Sequence, residues 1–65
     1  MMSPKQVAYA LHLLSEAGYS TRYMDRKFKA FGATMRERSG RVEDWLRNGG
    51  ARRVIDDLAP RERHT

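Results

Sequence analysis

The chain has 65 residues, of which 40% are hydrophobic and 32% charged, with no cysteine and a formal net charge of +5. The absence of cysteine excludes a disulfide-stapled miniprotein and a Cys-ligated zinc module, and the length excludes a two-domain cofactor enzyme. No apolar run is long enough to span a bilayer and no leader pattern is visible, so we predict a cytoplasmic protein with no membrane contact.

The first helix is predicted to begin at Ser3. Ser3 is placed as N-cap, Pro4 follows at the first helical position, and Gln6 completes a capping box. Gly18 is placed to end the helix, and Leu13 lies at the edge of its apolar face. That face repeats at helical spacing and consists of Val7, Ala10, Leu11, Leu14 and Ala17.

A second helix is predicted from a cap at Ser20 or Thr21 to Gly32, where the glycine ends it. Its apolar stripe consists of Met24, Phe28 and Phe31. At 100° per residue, the opposite face carries Arg22, Arg26 and Lys29.

Two shorter helices are predicted in the rest of the chain. A T-x-x-E capping box, Thr34 with Glu37, predicts a helical turn over 35–38. A third helix over 42–46 ends at Asn48-Gly49-Gly50, and a last helix over 50–58 stops before Pro60. We therefore predict an all-α fold, a compact bundle of three main helices plus a short extra helical segment. Residues 1–60 form this single small domain, and 61–65 form a disordered basic tail.

The net charge is concentrated in residues 22–41, which we call the basic segment. It holds seven basic residues against Asp25 and Glu37, a net charge of +5, whereas the rest of the chain has six residues of each sign. Elsewhere, arginines stand four residues from carboxylates on helices: Arg47 from Glu43, Arg52 from Asp56, and Arg53 from Asp57. Arginine outnumbers lysine ten to three, which suits bidentate phosphate contacts, although a GC-rich genome would produce the same bias.

The basic segment is a candidate nucleic-acid interface. Its candidate contacts are Arg22, Arg26, Lys27, Lys29, Arg36, Arg38 and Arg41. Three of the arginines flank a glycine-containing turn before a helix, where exposed N–H groups favour anions. Contacts would be mainly to phosphates, because the second predicted helix has no Asn, Gln or Ser to read base edges. The alternative interpretation is an ordinary solvated polar face.

A smaller set of residues could contact a partner protein: Lys5, Tyr9, Tyr19 and Tyr23. The alternative for Tyr9 is a half-buried position at a helix junction. We interpret His12 and Glu16, spaced by four, as surface residues, and Trp45 as a core residue. No nucleophile with a visible base and no carboxylate cluster occurs, so we expect no enzyme activity, cofactor, metal site or small-molecule substrate.

Three short motifs carry a resemblance to a family: Ser3-x-Lys5-Gln6, Leu14-x-Glu16-Ala17-Gly18 and Ile55-Asp56-x-Leu58. This pattern resembles small bacterial and phage helical modules without an assigned activity, which read T-x-K-Q … EAG … EAS-x-x-I-D-x-L. Arg52 and Arg53 replace the acidic-small pair of those modules. The middle segment, 23–46, also looks like a sequence block characteristic of a family. The resemblance implies a helical fold and, by analogy, an association with nucleic acid.

We therefore expect a small basic nucleic-acid-binding accessory protein of bacterial, plasmid or phage type. The alternative is a protein–protein interaction module, a small regulator or inhibitor that docks on an acidic surface of a larger protein. A homodimer is a further possibility. Its interface, or seam, would be the wide apolar face of the first helix, with Leu13 beside the main apolar stripe.

Overall fold

The computed structural model describes residues 3–60, so the predicted tail at 61–65 lies outside the described residues. In chain order the elements are α1 (Pro4–Glu16), a 3₁₀ helix (Arg26–Phe31), a 3₁₀ turn (Glu37–Ser39), α2 (Val42–Trp45), a wide turn (Leu46–Gly50) and α3 (Ala51–Leu58). Residues 3–60 contain no strand, only an isolated antiparallel bridge between Tyr23 and Arg41. The all-α prediction is confirmed.

Helix α1 begins and ends where its sequence predicts. The Ser3 hydroxyl accepts a hydrogen bond from the Gln6 N–H at 3.3 Å, and the Gln6 side chain accepts one from the Ser3 N–H at 3.3 Å. This reciprocal capping box satisfies two N–H groups that a helix start would otherwise leave without a partner. At the other end, Gly18 takes a φ of 84° and the Tyr19 N–H donates to the Leu14 carbonyl at 2.9 Å.

The core lies between α1 and α3, the most closely packed pair of elements. Its buried residues from these helices are Val7, Ala10, Leu13, Leu14, Ala51 and Val54. Leu13, expected at the edge of the apolar face, is only 8% exposed, whereas Leu11 is half-buried and Ala17 is exposed. Leu13, named for the predicted dimer seam, therefore packs inside the domain, while a homodimer stays a prediction.

An aromatic cluster completes the core beside α2. The ring of Phe28 meets Tyr19 and Trp45 edge to face, with ring centres 5.5 and 5.4 Å apart. Phe31 adds tilted contacts to the same two rings. Truncation of a buried Phe typically costs about 3–5 kcal/mol, so this cluster is a main source of stability for so small a domain. Trp45 is 6% exposed, which confirms its predicted place in the core.

The second helix differs from its prediction in start and type. It begins at Arg26 rather than near Ser20, and it is a 3₁₀ helix whose N-cap is Asp25. Residues before it are drawn into an extended pairing: the Met24 N–H donates to the Gly40 carbonyl and the Val42 N–H to the Arg22 carbonyl, each at 2.9 Å. These long-range hydrogen bonds replace the helical ones that the local pattern favours.

The 3₁₀ geometry still buries the predicted aromatic residues. A 3₁₀ helix has three residues per turn, so Phe28 and Phe31 lie on one face, and both are buried. Met24 is also buried, but it reaches the core from the extended segment. The apolar stripe was thus identified correctly although one of its three residues lies outside the helix.

The predicted box at Thr34 forms before the next turn. The Thr34 N–H donates to Glu37 Oε1 at 2.8 Å and the Glu37 N–H donates to the Thr34 hydroxyl at 3.2 Å. The resulting 3₁₀ turn covers Glu37–Ser39, slightly later than the predicted 35–38.

The last two helices follow their predicted order. The break between α2 and α3 falls at Asn48 and Gly49, the latter with a φ of 108°. α3 then spans Ala51–Leu58.

Candidate nucleic-acid interface

Both carboxylates of the basic segment bind backbone N–H groups instead of cations. Asp25 Oδ1 accepts from the Lys27 N–H at 3.0 Å, and Glu37 Oε1 accepts from the Thr34 N–H at 2.8 Å. Within residues 3–60 the one ion pair is Arg47 with Glu43, at 2.7 Å. No cation of the basic segment is therefore paired with a carboxylate of the described chain.

Two of the seven candidate cations donate hydrogen bonds to backbone carbonyls. The Arg38 guanidinium is half-buried and donates to the Ala33 carbonyl at 2.7 Å. The Lys27 ammonium donates to the Gly18 carbonyl at 3.4 Å and lies 5.6 Å from the centre of the Tyr19 ring. These contacts give both side chains a role inside the fold, since each covers a carbonyl at the end of a helix or in a loop.

The remaining candidates are exposed, and their side chains make no hydrogen bond or ion pair within residues 3–60. We call them the five available cations: Arg22, Arg26, Lys29, Arg36 and Arg41. Arg26 and Lys29 are one 3₁₀ turn apart and therefore share a face. Arg22 is not on that helix, so the predicted single-helix stripe of three cations is wrong.

The other three available cations lie near the bridge between Tyr23 and Arg41: Arg22, Arg36 and Arg41. The bridge brings Arg22 beside the start of α2, because the Arg22 carbonyl accepts from Val42 at 2.9 Å. Arg36 and Arg41 line one open pocket of about 220 Å³. The other residues that line it are Glu37, Gly40, Asp44, Trp45 and Asn48.

The two groups of cations are close enough to act on one polyanion. Tyr23 and Arg26 are three residues apart, so their Cα atoms are separated by at most about 11 Å. That distance is close to the Debye length of about 10 Å at 0.1 M salt. The backbone positions of the two groups of cations therefore begin about one Debye length apart.

The bridge also fixes an exposed tyrosine. Tyr23 and Arg41 are a non-hydrogen-bonded antiparallel pair, the arrangement with the closest side chains. The Arg41 guanidinium carbon lies 5.9 Å from the centre of the Tyr23 ring, within cation–π range. The neighbouring residues Met24 and Val42 are buried, so alternation along the pairing turns the ring outward, where it is 62% exposed.

The other predicted partner contacts are placed unequally. Lys5 and Tyr9 are exposed on α1, and because Tyr9 is 41% exposed, both its prediction as a partner contact and the half-buried alternative stay open. Tyr19 is half-buried against the aromatic cluster, so its prediction as an exposed contact is wrong. His12 and Glu16 are exposed, as predicted for surface residues.

Two residues matter in ways that the sequence pattern does not indicate. Met35, beside Arg36, is 79% exposed. Arg53 donates to the carbonyls of Phe31 and Gly32 at 3.3 and 3.2 Å rather than to Asp57. Arg53 forms no ion pair with Asp57, and Arg52 forms none with Asp56, within the described range. The two pairs that the spacing of four predicts are therefore wrong.

Within residues 3–60, no group of three or more His, Cys, Asp or Glu residues could hold a metal ion. None of the helices described there combines the length and the apolar character required to cross a membrane. No protein-family model, curated protein or solved structure matches the chain. The function must therefore be inferred from geometry and charge.

Proposed function

We propose that this protein is a small nucleic-acid-binding accessory protein that binds the phosphate backbone through the five available cations. The observation that carries the proposal is the use of Asp25 and Glu37 as backbone caps. An ordinary polar face mixes cations with carboxylates that reach them, whereas here Asp25 and Glu37, the two carboxylates of the basic segment, accept backbone N–H groups. The five available cations can therefore bind an external polyanion.

The chemistry of the side chains favours phosphate. Four of the five available cations are arginines, whose planar fork of donors matches two phosphate oxygens at once. Phosphate contacts of this kind give affinity without sequence preference. The bacterial, plasmid or phage setting belongs to the same proposal and is supported by the sequence resemblance alone.

The test is a salt titration of binding, followed by fluorescence anisotropy of labelled nucleic acid. Five neutralised phosphates give a log–log salt slope of about −4.5 on duplex DNA and about −3.5 on a single strand. The double variant R26E/K29E should lose most of its affinity. R52E is the matched control, since Arg52 is exposed on α3 outside the basic segment. An affinity of the wild-type protein that does not change with salt would contradict the proposal.

An acidic surface of a partner protein is the second candidate, and the exposure of Met35 favours it. Methionine, tyrosine and arginine are enriched in protein interfaces, and Met35 stands in sequence beside Arg36, which lines the same pocket as Arg41. Pull-down from lysate treated with nuclease separates the two candidates. A partner retained after nuclease and lost in a Met35→Ser variant supports the protein surface, whereas loss of all bound material on nuclease treatment supports nucleic acid.

A further inference from the structure

The exposed ring of Tyr23 is not explained by phosphate binding. A phenol ring that is 62% exposed leaves a large apolar surface in water, beside cations that would suffice for phosphates. The backbone at Tyr23 is fixed, because Met24 and Val42 on either side of the bridge are buried. An exposed aromatic ring among cations is the arrangement on which proteins stack unpaired bases.

We propose that the ligand is single-stranded nucleic acid, with one unpaired base stacked on Tyr23 and the adjoining phosphates bound by Arg41 and Arg36. This inference rests on the proposed function and names the form of nucleic acid that the same surface takes. Arg41 lies 5.9 Å from the centre of the ring, so its guanidinium can contact the ring or the base while its N–H groups face phosphate oxygens.

The form of the basic segment argues against a duplex. Base faces in a duplex are covered by their neighbours, and a protein reaches only the base edges, usually with an α-helix or a two-stranded ribbon in the major groove. The helix of the basic segment, Arg26–Phe31, is only six residues long, and it directs Phe28 and Phe31 into the core. Tyr23 would meet only sugar and phosphate on a duplex, where a stacking ring has nothing to stack on.

The pocket beside Arg41 supports the same ligand. Glu37 and Asp44 line it, and their negative charges would repel a phosphate inside it. A neutral base suits it better, since Trp45 supplies apolar surface and Asn48 a polar amide. Phosphates then remain outside, on the arginines, while a base next to the one stacked on Tyr23 reaches inward, which requires a strand whose bases are not already paired.

The test compares binding of an oligo-dT strand with binding of a duplex of equal length, both labelled with fluorescein and measured by anisotropy. Tyr23→Ala should weaken single-strand binding about tenfold and leave duplex binding unchanged. Tyr23→Phe should restore single-strand affinity, because stacking needs the ring and not the hydroxyl. His12→Ala is the control, an exposed ring on α1 outside the basic segment, and should bind as the wild type does. Circular dichroism of each variant reports whether it folds.

The outcomes separate this inference from the proposed function. If Tyr23→Ala binds oligo-dT as tightly as the wild-type protein, or if the wild type prefers the duplex, the stacking inference is wrong. Salt-dependent binding in those cases still supports a backbone-binding protein. If the wild-type protein binds neither nucleic acid at low salt, the proposed function and the inference both fail.

Discussion

The side chain of Arg53, on α3, donates a hydrogen bond to the backbone of Gly32 at the end of the neighbouring 3₁₀ helix. Its Nη1 atom donates to the Gly32 carbonyl at 3.2 Å and to the Phe31 carbonyl at 3.3 Å. These carbonyls close the C-terminal end of the 3₁₀ helix, where a positive charge also offsets the negative end of the helix dipole. Arg53 thereby connects α3 to the helix that carries Arg26 and Lys29.

Arg53→Ala should destabilise the fold. Hydrogen bonds from a charged group contribute about 1.5–3 kcal/mol when buried. Because this contact is partly exposed, we expect the free energy of unfolding to fall by about 1 kcal/mol. Urea denaturation measures it as a lower midpoint with an unchanged slope. Arg52→Ala is the control, because Arg52 forms no ion pair with a described residue, and it should unfold as the wild type does. Equal midpoints for the two variants would contradict the assigned role.

Gly32→Ala tests the same junction from the other side. Gly32 has a φ of 81°, a left-handed conformation that an alanine adopts with strain, and a Cβ there would lie 3.0 Å from Arg53 Nη1. We expect a loss of about 1–2 kcal/mol in the free energy of unfolding, measured by thermal or urea denaturation. Gly40→Ala is the matched control, since Gly40 has a negative φ and its Cβ would meet its nearest neighbour at 3.9 Å. A Gly32→Ala variant as stable as Gly40→Ala would rule out the strain.

Local chemistry explains which parts of this fold could be predicted from sequence. The ends of α1 were predictable because Ser3, Gln6 and Gly18 act within one turn of their own position. The start of the second helix was not, because residues far apart in sequence decide it. Met24 bonds to Gly40 across the bridge, and no local pattern reports a partner sixteen residues away.

The candidate site shows the same division. The order of the charged residues places the whole net charge in the basic segment, and the structure leaves five of its cations exposed with no side-chain hydrogen bond or ion pair in residues 3–60. Sequence could not show that Arg38 and Lys27 donate to carbonyls, since a backbone acceptor leaves no trace in residue type. Nor could it show that Tyr19 packs inward while Tyr23 points outward, which depends on the aromatic cluster and on the bridge.

Gly50 is required by the ring of Trp45 rather than by its own backbone angles. Its φ and ψ of −64° and −28° are helical, so alanine would be conformationally favoured there. A Cβ would nevertheless stand 2.5 Å from Trp45 Cδ2, which is closer than packed atoms allow. Gly50→Ala should therefore lose about 1–3 kcal/mol of stability through overpacking.

Trp45 reports this change directly, because it is the single tryptophan in the chain. Displacement of its ring from the core should shift its fluorescence emission to longer wavelength in the native state, together with a lower urea midpoint. A Gly50→Ala variant that is more stable than the wild type, with unchanged emission, would show that the ring moves aside without cost.

The last prediction separates cations that hold the fold from cations that bind the ligand. Arg38→Ala removes the donor to the part-buried Ala33 carbonyl and should cost about 1 kcal/mol of stability, with the salt slope of nucleic-acid binding unchanged. Arg26→Ala removes an exposed cation without a described partner, so it should leave the urea midpoint unchanged and make the slope less negative by about 1. Denaturation and salt titration of both variants provide the comparison. If Arg38→Ala changes the slope as much as Arg26→Ala does, Arg38 contacts the ligand and the distinction between the two cations is wrong.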